Sequence, residues 1–426
     1  MKNIKIVQIH AGLKENSVPA RITRALMKIE IPSIVLVGES ELKENWVIKI
    51  KESIGYKVLR KMDYLLHKSV SKKQYQINEN IPFSYYRVGM PIYRARELKE
   101  ADVIILHWVC GYYLSVRGIK KILDLKKPVI MVCHDNWHFT GGCHVRMGCE
   151  KYMDHCNHCA QLNSKKERDW SYKLFEAKKR VFQKQNITVI SPSRWMDENV
   201  AKSRLLQKYP HYVIPNPIDT DKYRPIDRMA AREKYGVSKE SIVLSFGAVK
   251  AVNTPYKGYR QLLEALDIME KNYSFERMIE VLVFGADSGE NREGKKIKMK
   301  YMGVLNESEM IDMYNMTDVY VIPSLEDSFN STVIESMACE TPVVSFATGG
   351  IVDIIEHKKN GYLAEYNNSE SLAEGIMWVM SHNENNVLGR NGRERVLEKF
   401  RSEVVADKYL KVIEDITRSM LGERKG

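Results

Sequence analysis

Residues Val319-Tyr-Val-Ile-Pro-Ser-Leu-Glu-Asp-Ser-Phe-Asn-Ser-Thr-Val-Ile-Glu-Ser-Met-Ala-Cys-Glu-Thr-Pro-Val-Val-Ser-Phe346 hold one full strand–helix–strand passage. A β-branched apolar run ends at Pro323-Ser324, a polar loop follows from Leu325 to Asn330, and a helix is expected to open near Ser331. A second apolar strand is expected at Pro342–Phe346. The first amides of such a helix lack backbone partners and carry the positive end of its dipole, which makes a seat for a diphosphate. Asp327 and Glu335 bracket that seat. One carboxylate can hold sugar hydroxyls and the other ribose hydroxyls. The plainer alternative is a helix start decorated with favourable acids.

The same alternation of short Val/Ile runs and longer amphipathic stretches extends in both directions, the pattern of parallel α/β sheets. Before the centre of the chain, strands are expected at Ile4–Ile9, Ser33–Val37, Asp102–Leu106, Pro128–Cys133, Ile187–Ile190 and Tyr212–Ile214. The prolines of Pro215-Asn216-Pro217 and Pro225 then disfavour helix and mark an interdomain connection. Strands resume at Ile242–Phe246, Glu280–Phe284 and Val319–Ile322, with helices at Tyr259–Asn272 and Glu307–Met316. The fold class is α/β: two doubly wound domains, 1–218 and 219–400. A helix and charged tail over 401–426 are expected to pack back towards the first domain. Such sheets bind ligands at the carboxyl ends of their strands, so two of them facing each other would make a cleft.

Several α/β chemistries lack their motifs. Gly12 is the single glycine after the first strand, where a dinucleotide fingerprint needs three. There is no phosphate loop of the Gly-x-x-x-x-Gly-Lys type and no Gly-x-Ser-x-Gly elbow. No apolar run reaches 18 residues and no secretory leader is evident, so a cytoplasmic protein is expected. Charge is uneven: residues 1–220 hold 38 Lys+Arg against 21 Asp+Glu, the remainder 28 against 33. A basic first half fits either a solvated lysine-rich surface or a face attracted to anionic lipid or a phosphate-bearing acceptor, roughly 1 kcal/mol per cation at the surface. No basic recognition helix or aromatic-basic pattern points to nucleic acid.

The 319–346 stretch resembles the signature of retaining glycosyltransferases of the GT-B fold, group 1 or family four: Glu-x7-Glu followed by Ala-Met-Ala-x-Gly-x-Pro-Val-Val. Glu335 matches the second glutamate; Asp327, with Glu326 beside it, stands at the first; Glu340 replaces a glycine. Upstream, Gly247-Ala248-Val249 and Lys257-Gly258 match the family's Gly-Arg and Lys-Gly pairs, except that Ala248 replaces the arginine. Lys250 or Arg260 are the candidate replacements. The resemblance implies GT-B architecture, two facing Rossmann-like domains, and a nucleoside diphosphate sugar of UDP or GDP type. It makes Lys257 and the helix amides the stabilisers of the leaving diphosphate, with no catalytic metal. It also places Gly12, Gly247, Glu326, Ser328, Phe329, Asn330, Ser331 and Thr332 on the donor.

Cys133-His134-Asp135-Asn136-Trp137-His138-Phe139-Thr140-Gly141-Gly142-Cys143 resembles a bacterial exopolysaccharide and colanic acid-type branch, with His134 at the histidine that touches the donor sugar. Catalytic roles are thus expected for His134, Asp327 and Glu335. Cys143, Cys149, Cys156 and Cys159 fall within 17 residues, a spacing open to a structural zinc, with His144, His155 and His158 as substitutes, or to reduced thiols packed in a loop. The implied function is transfer of a hexose to a saccharide or lipid-linked acceptor in surface polysaccharide synthesis, at the inner face of the plasma membrane. A GT-B nucleotide-sugar epimerase and a non-catalytic sugar-nucleotide scaffold are the alternatives.

Overall fold

The computed structural model describes residues 4–423 except 76, 78–79, 184, 249, 251 and 291–295. The chain forms two compact units, one of Met1–Pro217 with Ser402–Gly426 and the other of Ile218–Arg401.

The first unit is a seven-stranded parallel sheet: β1 (Ile6–Leu13), β2 (Ser33–Ser40), β3 (Val47–Lys49), β4 (Val103–Leu106), β5 (Val129–Val132), β6 (Ile187–Ser191) and β7 (His211–Val213). Its order is β3-β2-β1-β4-β5-β6-β7, with every neighbouring pair parallel. Strands β4, β5 and β6 are buried along their whole length, because helices cover both faces and each Val or Ile finds apolar neighbours either way. The helix Ser402–Glu423 closes one face. Its Val405, Ala406, Tyr409, Val412 and Ile413 share a core with Ile22, Ala25 and Leu26 of the helix Val18–Lys28.

The second unit is a six-stranded parallel sheet: β8 (Ile242–Gly247), β9 (Ile279–Phe284), β10 (Ile297–Tyr301), β11 (Val319–Ile322), β12 (Val343–Phe346) and β13 (Gly361–Ala364). Its order is β10-β9-β8-β11-β12-β13. The helices Tyr259–Asn272 and Glu307–Met316 occupy the expected residues. The second starts with a reciprocal cap in which Asn306 and Glu309 each bond the other's backbone amide, which fixes its first turn.

In each sheet the chain winds outward in both directions from a central pair, β1/β4 and β8/β11. At such a switch point the following loops diverge and leave room for a ligand at the strands' carboxyl ends. Residues after β8 and β11 in one unit, and after β1 and β4 in the other, are therefore where chemistry is to be sought. Among the described residues no helix is long and apolar enough to cross a membrane.

Candidate functional site

In the second unit the loop between β11 and the helix Ser331–Ala338 is built from its own polar side chains. Asn330 caps the helix by accepting from the Thr332 amide at 3.0 Å and the Thr332 hydroxyl at 2.6 Å. The other end of the Asn330 amide donates to Asp327 Oδ2 at 2.9 Å, and Lys257 Nζ donates to the same oxygen at 2.7 Å. Asp327 is thus held by a cation from the β8 side and by the helix cap, at the switch point. The Lys257–Asp327 side chains are only 21% and 9% exposed. Burial works against charge on Lys257, but the Asp327 carboxylate more than offsets it, and the lysine pKa rises above its ordinary value. A lysine ammonium carries three donors, so holding Asp327 leaves capacity for phosphate oxygens.

Glu335 lies on the inner side of that helix, 4% exposed, and Tyr314 donates its hydroxyl to Oε2 at 2.8 Å. Glu326 is buried, Ser328, Ser331 and Thr332 are half-buried, and Phe329 packs edge-on against Phe400. Phe329 is therefore a core side chain in this arrangement. Arg260 is turned to Glu264 on its own helix, with its side chain 85% exposed, and Lys250 is exposed. Val249 lies outside the described residues.

Two glycines are fixed by close approach. Gly258 has φ +77°, and a Cβ there would stand 1.8 Å from the Pro323 carbonyl oxygen. Gly258→Ala is expected to destabilise the second unit by at least about 3 kcal/mol, the left-handed backbone adding to an overlap with main chain that cannot swing aside. Urea unfolding followed by circular dichroism reads this, and a change under 1 kcal/mol would refute it. Gly247 faces the Phe284 ring, which a Cβ would meet at 2.2 Å, so packing alone requires it.

A segment that the sequence reading passed over completes the loop. The Gly350 amide donates to Asp327 O at 2.9 Å, the Thr348 hydroxyl donates to Leu325 O at 3.1 Å, and Gly349, at φ +54°, would clash with Asp327 O. Its signal was present: Thr348-Gly349-Gly350 follows β12 after the single residue Ala347.

In the first unit Gly12 is not in a loop. Strand β1 runs on to Leu13, four residues past the expected end, because His10, Gly12 and Leu13 pair in register with Val37, Glu39 and Ser40 of the long β2. Gly12 lines a cavity of about 700 Å³ with Gly38, Lys57, Arg60 and Trp108.

His134 follows β5 and belongs to a relay reaching through the sheet. Its Nε2 lies 2.8 Å from His107 Nδ1, and His107 Nε2 lies 2.6 Å from Gln8 Oε1. Protons in the relay can be assigned by elimination. Thr23 donates to Pro19 O, so its hydroxyl oxygen accepts from Gln8 Nε2, and Ser33 Oγ accepts there too. The Gln8 carbonyl therefore faces His107 and takes the proton on Nε2. Burial, then neighbouring imidazoles, hold the His107 pKa well below its usual value, so its Nδ1 is bare and accepts from His134 Nε2–H. His134 is thereby fixed as the tautomer with an acceptor at Nδ1, and burial keeps it neutral with a pKa lowered to about 3. Gln8→Glu is expected to protonate His107 fully and push His134 to the Nδ1–H tautomer. Imidazole 15N shifts read it directly; an unchanged tautomer would refute the relay.

The buried His144 and the half-buried Asp135 form a pair at 2.6 Å. Burial opposes charge on both. Their mutual attraction prevails, raising His144 to about 10 and lowering Asp135. Asp135 also accepts from the Trp137 amide at 2.8 Å, so the pair orders the turn after His134.

The four clustered cysteines are unbridged. Burial, with a contribution from the neighbouring thiols, raises the pKa of Cys143, pushes Cys156 up to about 12 and raises Cys159, while Cys149 is exposed. Among the described residues no group of three or more His, Cys, Asp or Glu side chains is placed to hold a metal ion. His144 and His155 are engaged by Asp135 and by Glu176.

Residues 227–395 match the family model of glycosyl transferases group 1. The matched span contains Lys257, Asp327, Asn330, Glu335 and the Thr348-Gly349-Gly350 segment. Over 186 residues the chain is 30% identical to a D-inositol 3-phosphate glycosyltransferase of Geodermatophilus obscurus, covering 40% of this chain and 40% of that protein. It spans half or less of the length of such inositol phosphate enzymes. An uncharacterized glycosyltransferase of Methanocaldococcus jannaschii, MJ1607, is 25% identical over 78% of this chain and 86% of its own. Among solved structures, sucrose-phosphate synthase from Thermosynechococcus elongatus superposes with a TM-score of 0.64 at 14% identity, covering 98% of this chain and 100% of that one. Anabaena HepE, solved in complex with UDP and glucose, gives 0.61 at 13%, covering 97% and 100%. At these identities the structures establish the fold, which is GT-B with two Rossmann-like parallel-sheet units.

Proposed function

We propose that this chain, whose residues 227–395 match group 1 glycosyl transferases, is a retaining glycosyltransferase of family four. It moves a hexose from a nucleoside diphosphate to a saccharide or lipid-linked acceptor in bacterial surface polysaccharide synthesis. It works as a peripheral protein at the inner membrane face. The observation that carries the donor half of this reading is the Lys257–Asp327–Asn330 set, gathered where the helix Ser331–Ala338 presents its first amides. Negative charge on a departing diphosphate would meet a fixed ammonium and a helix dipole that are already in place, so little reorganisation is needed as the charge develops. Asp327, oriented by Lys257 and Asn330, is suited to accept from a sugar hydroxyl, and Glu335, oriented by Tyr314, from two other hydroxyls of the donor. HepE, of the same fold, has also been solved with UDP-glucose, which supports a uridine donor.

The test is a thermal-shift panel of UDP, GDP, ADP, CDP and TDP on wild type and Lys257→Ala. A ligand at 100 times its Kd stabilises by about 2.7 kcal/mol. The expected result is one diphosphate that raises Tm of wild type and leaves the variant's own, lower Tm unmoved. Absence of a shift with all five would reject the donor site.

A further inference from the structure

The helix Ile54–Gln74 of the first unit is built inside out. Along one side Tyr56, Arg60, Asp63 and His67 face the protein. Tyr56 hydroxyl meets that of Tyr93 at 3.2 Å, Arg60 forms two bonds of 2.7 Å to Glu52, and Asp63 accepts from the Arg87 and Val88 amides at 2.9 and 3.2 Å. His67 stacks on Trp170 with ring centroids 4.2 Å apart. These positions recur at i, i+4, i+7 and i+11, one stripe of a helix. A surface helix of a globular protein ordinarily turns its apolar stripe that way.

Here the aliphatic stripe points out. Ile54, Val58, Met62 and Leu65 follow i, i+4, i+8 and i+11, and Leu59 and Leu66 widen the strip. Ile54 is 81% exposed and the other five between 51% and 54%. Seven of the seventeen exposed large apolar side chains among the described residues lie on this one helix, so the patch is not the usual scatter. Lys57, Lys61 and Lys68 line one long edge of the strip, and all three are exposed. The sequence marks the helix too, since aliphatic and basic residues alternate through Lys57-Val-Leu-Arg-Lys-Met62 while no acid but the inward Asp63 interrupts them.

We propose that this helix seats the protein on an anionic lipid surface, its aliphatic strip entering the headgroup boundary and its lysine edge resting on the phosphates. An aliphatic strip bordered by cations, on a helix polar along its other side, is the pattern of an interfacial helix. The basic excess of residues 1–220 extends the attraction beyond the helix. A second copy of this chain fits less well, because two lysine edges would meet. Lys57 and Arg60 also line the 700 Å³ cavity that contains Gly12, so a phosphate-bearing group held in that surface would lie next to a cavity of the same unit. The proposal deepens the membrane part of the functional reading, yet its test needs no donor or acceptor.

Full-length protein is sedimented with vesicles of pure phosphatidylcholine and of phosphatidylcholine with 30% phosphatidylglycerol, at 0.1 and 0.5 M salt. The expected result is binding to anionic vesicles at low salt, weakened at least tenfold by high salt, and weaker still on neutral vesicles. Met62→Glu with Leu65→Glu is expected to lower binding to anionic vesicles at least tenfold. Near-UV circular dichroism and the nucleotide shift should stay as in wild type, because both side chains lie outside the core. Equal binding by the variant would overturn the proposal, as would absence of binding by a folded wild type. A wild-type dimer in light scattering that the variant dissolves would assign the strip to a second copy instead. Vesicle binding without nucleotide response would leave this inference standing and reject the donor site.

Discussion

Glu335→Gln is expected to lower kcat/KM for sugar transfer by roughly 10²–10³ while changing the unfolding free energy by less than about 1 kcal/mol. The carboxylate sits 4% exposed on the helix Ser331–Ala338, with Tyr314 donating to one oxygen at 2.8 Å. Glutamine keeps the volume and a carbonyl oxygen for Tyr314, so packing survives. It loses the negative charge, and hydrogen bonds from hydroxyls to a charged acceptor contribute about 1.5–3 kcal/mol each against about 1 for neutral ones. Two donor hydroxyls weakened in this way account for the expected range. Tyr314→Phe should cost less, because the carboxylate keeps its charge and loses only the bond that orients it. Release of nucleoside diphosphate, with the donor chosen by the nucleotide panel, is the assay. A Glu335→Gln enzyme within threefold of wild type would make Glu335 a helix residue without a part in the reaction.

The parts legible in the sequence are those whose determinants are local. Tyr259–Asn272 and Glu307–Met316 could be read to the residue, because a glycine start and an Asn-x-x-Glu cap sit directly before their apolar periodicity. Strands buried on both faces, such as Val319–Ile322, announce themselves as unbroken apolar runs. Strands β3, β10 and β13 were not legible. Val47–Lys49 has three residues and two are only half-buried; Ile297–Tyr301 alternates lysines outward at a sheet edge; Gly361–Ala364 opens on a glycine. In the site, Asp327 and Glu335 stood out through spacing along one segment. Lys257 stood out only through the family's Lys-Gly pair. Its bond to Asp327, 70 residues on, and that of Tyr314 to Glu335 did not, because the sheet order brings them together. Gln8 carried a weak local signal, a polar side chain inside the apolar run Ile6-Val-Gln-Ile9. Its role depends on His107, 99 residues away.

The first unit is expected to unfold in mild acid, between pH 6.5 and about 4, ahead of the second. His107 and His138 are 0% and 3% exposed. Burial lowers the pKa of His138 to about 4 and, with neighbouring imidazoles, holds that of His107 well below the 6.5 of the unfolded chain. A histidine whose folded pKa is depressed contributes stability that is present above 6.5 and lost as pH falls towards the folded value. By pH 4.5 that loss is about 2.5 kcal/mol for His138, a large share of an ordinary domain's roughly 5–15 kcal/mol, and His107 adds to it in the same direction. His10 and His134 shift the same way, to about 4 and about 3, and add to the loss. His144 has the opposite sign: with its folded pKa raised to about 10, its contribution is complete below 6.5 and fades as pH rises towards 10. The two slopes meet near pH 6.5, where this unit should be most stable. Five of the six tryptophans, Trp46, Trp108, Trp137, Trp170 and Trp195, lie in the first unit and only Trp378 in the second, so fluorescence follows the first while far-UV circular dichroism follows both. Fluorescence should therefore change at higher pH than the last dichroic step. His138→Gln, which still donates to His107 O but cannot titrate, should move that change to lower pH. A single transition shared by both probes and indifferent to His138→Gln would show that these imidazoles do not govern the acid limit.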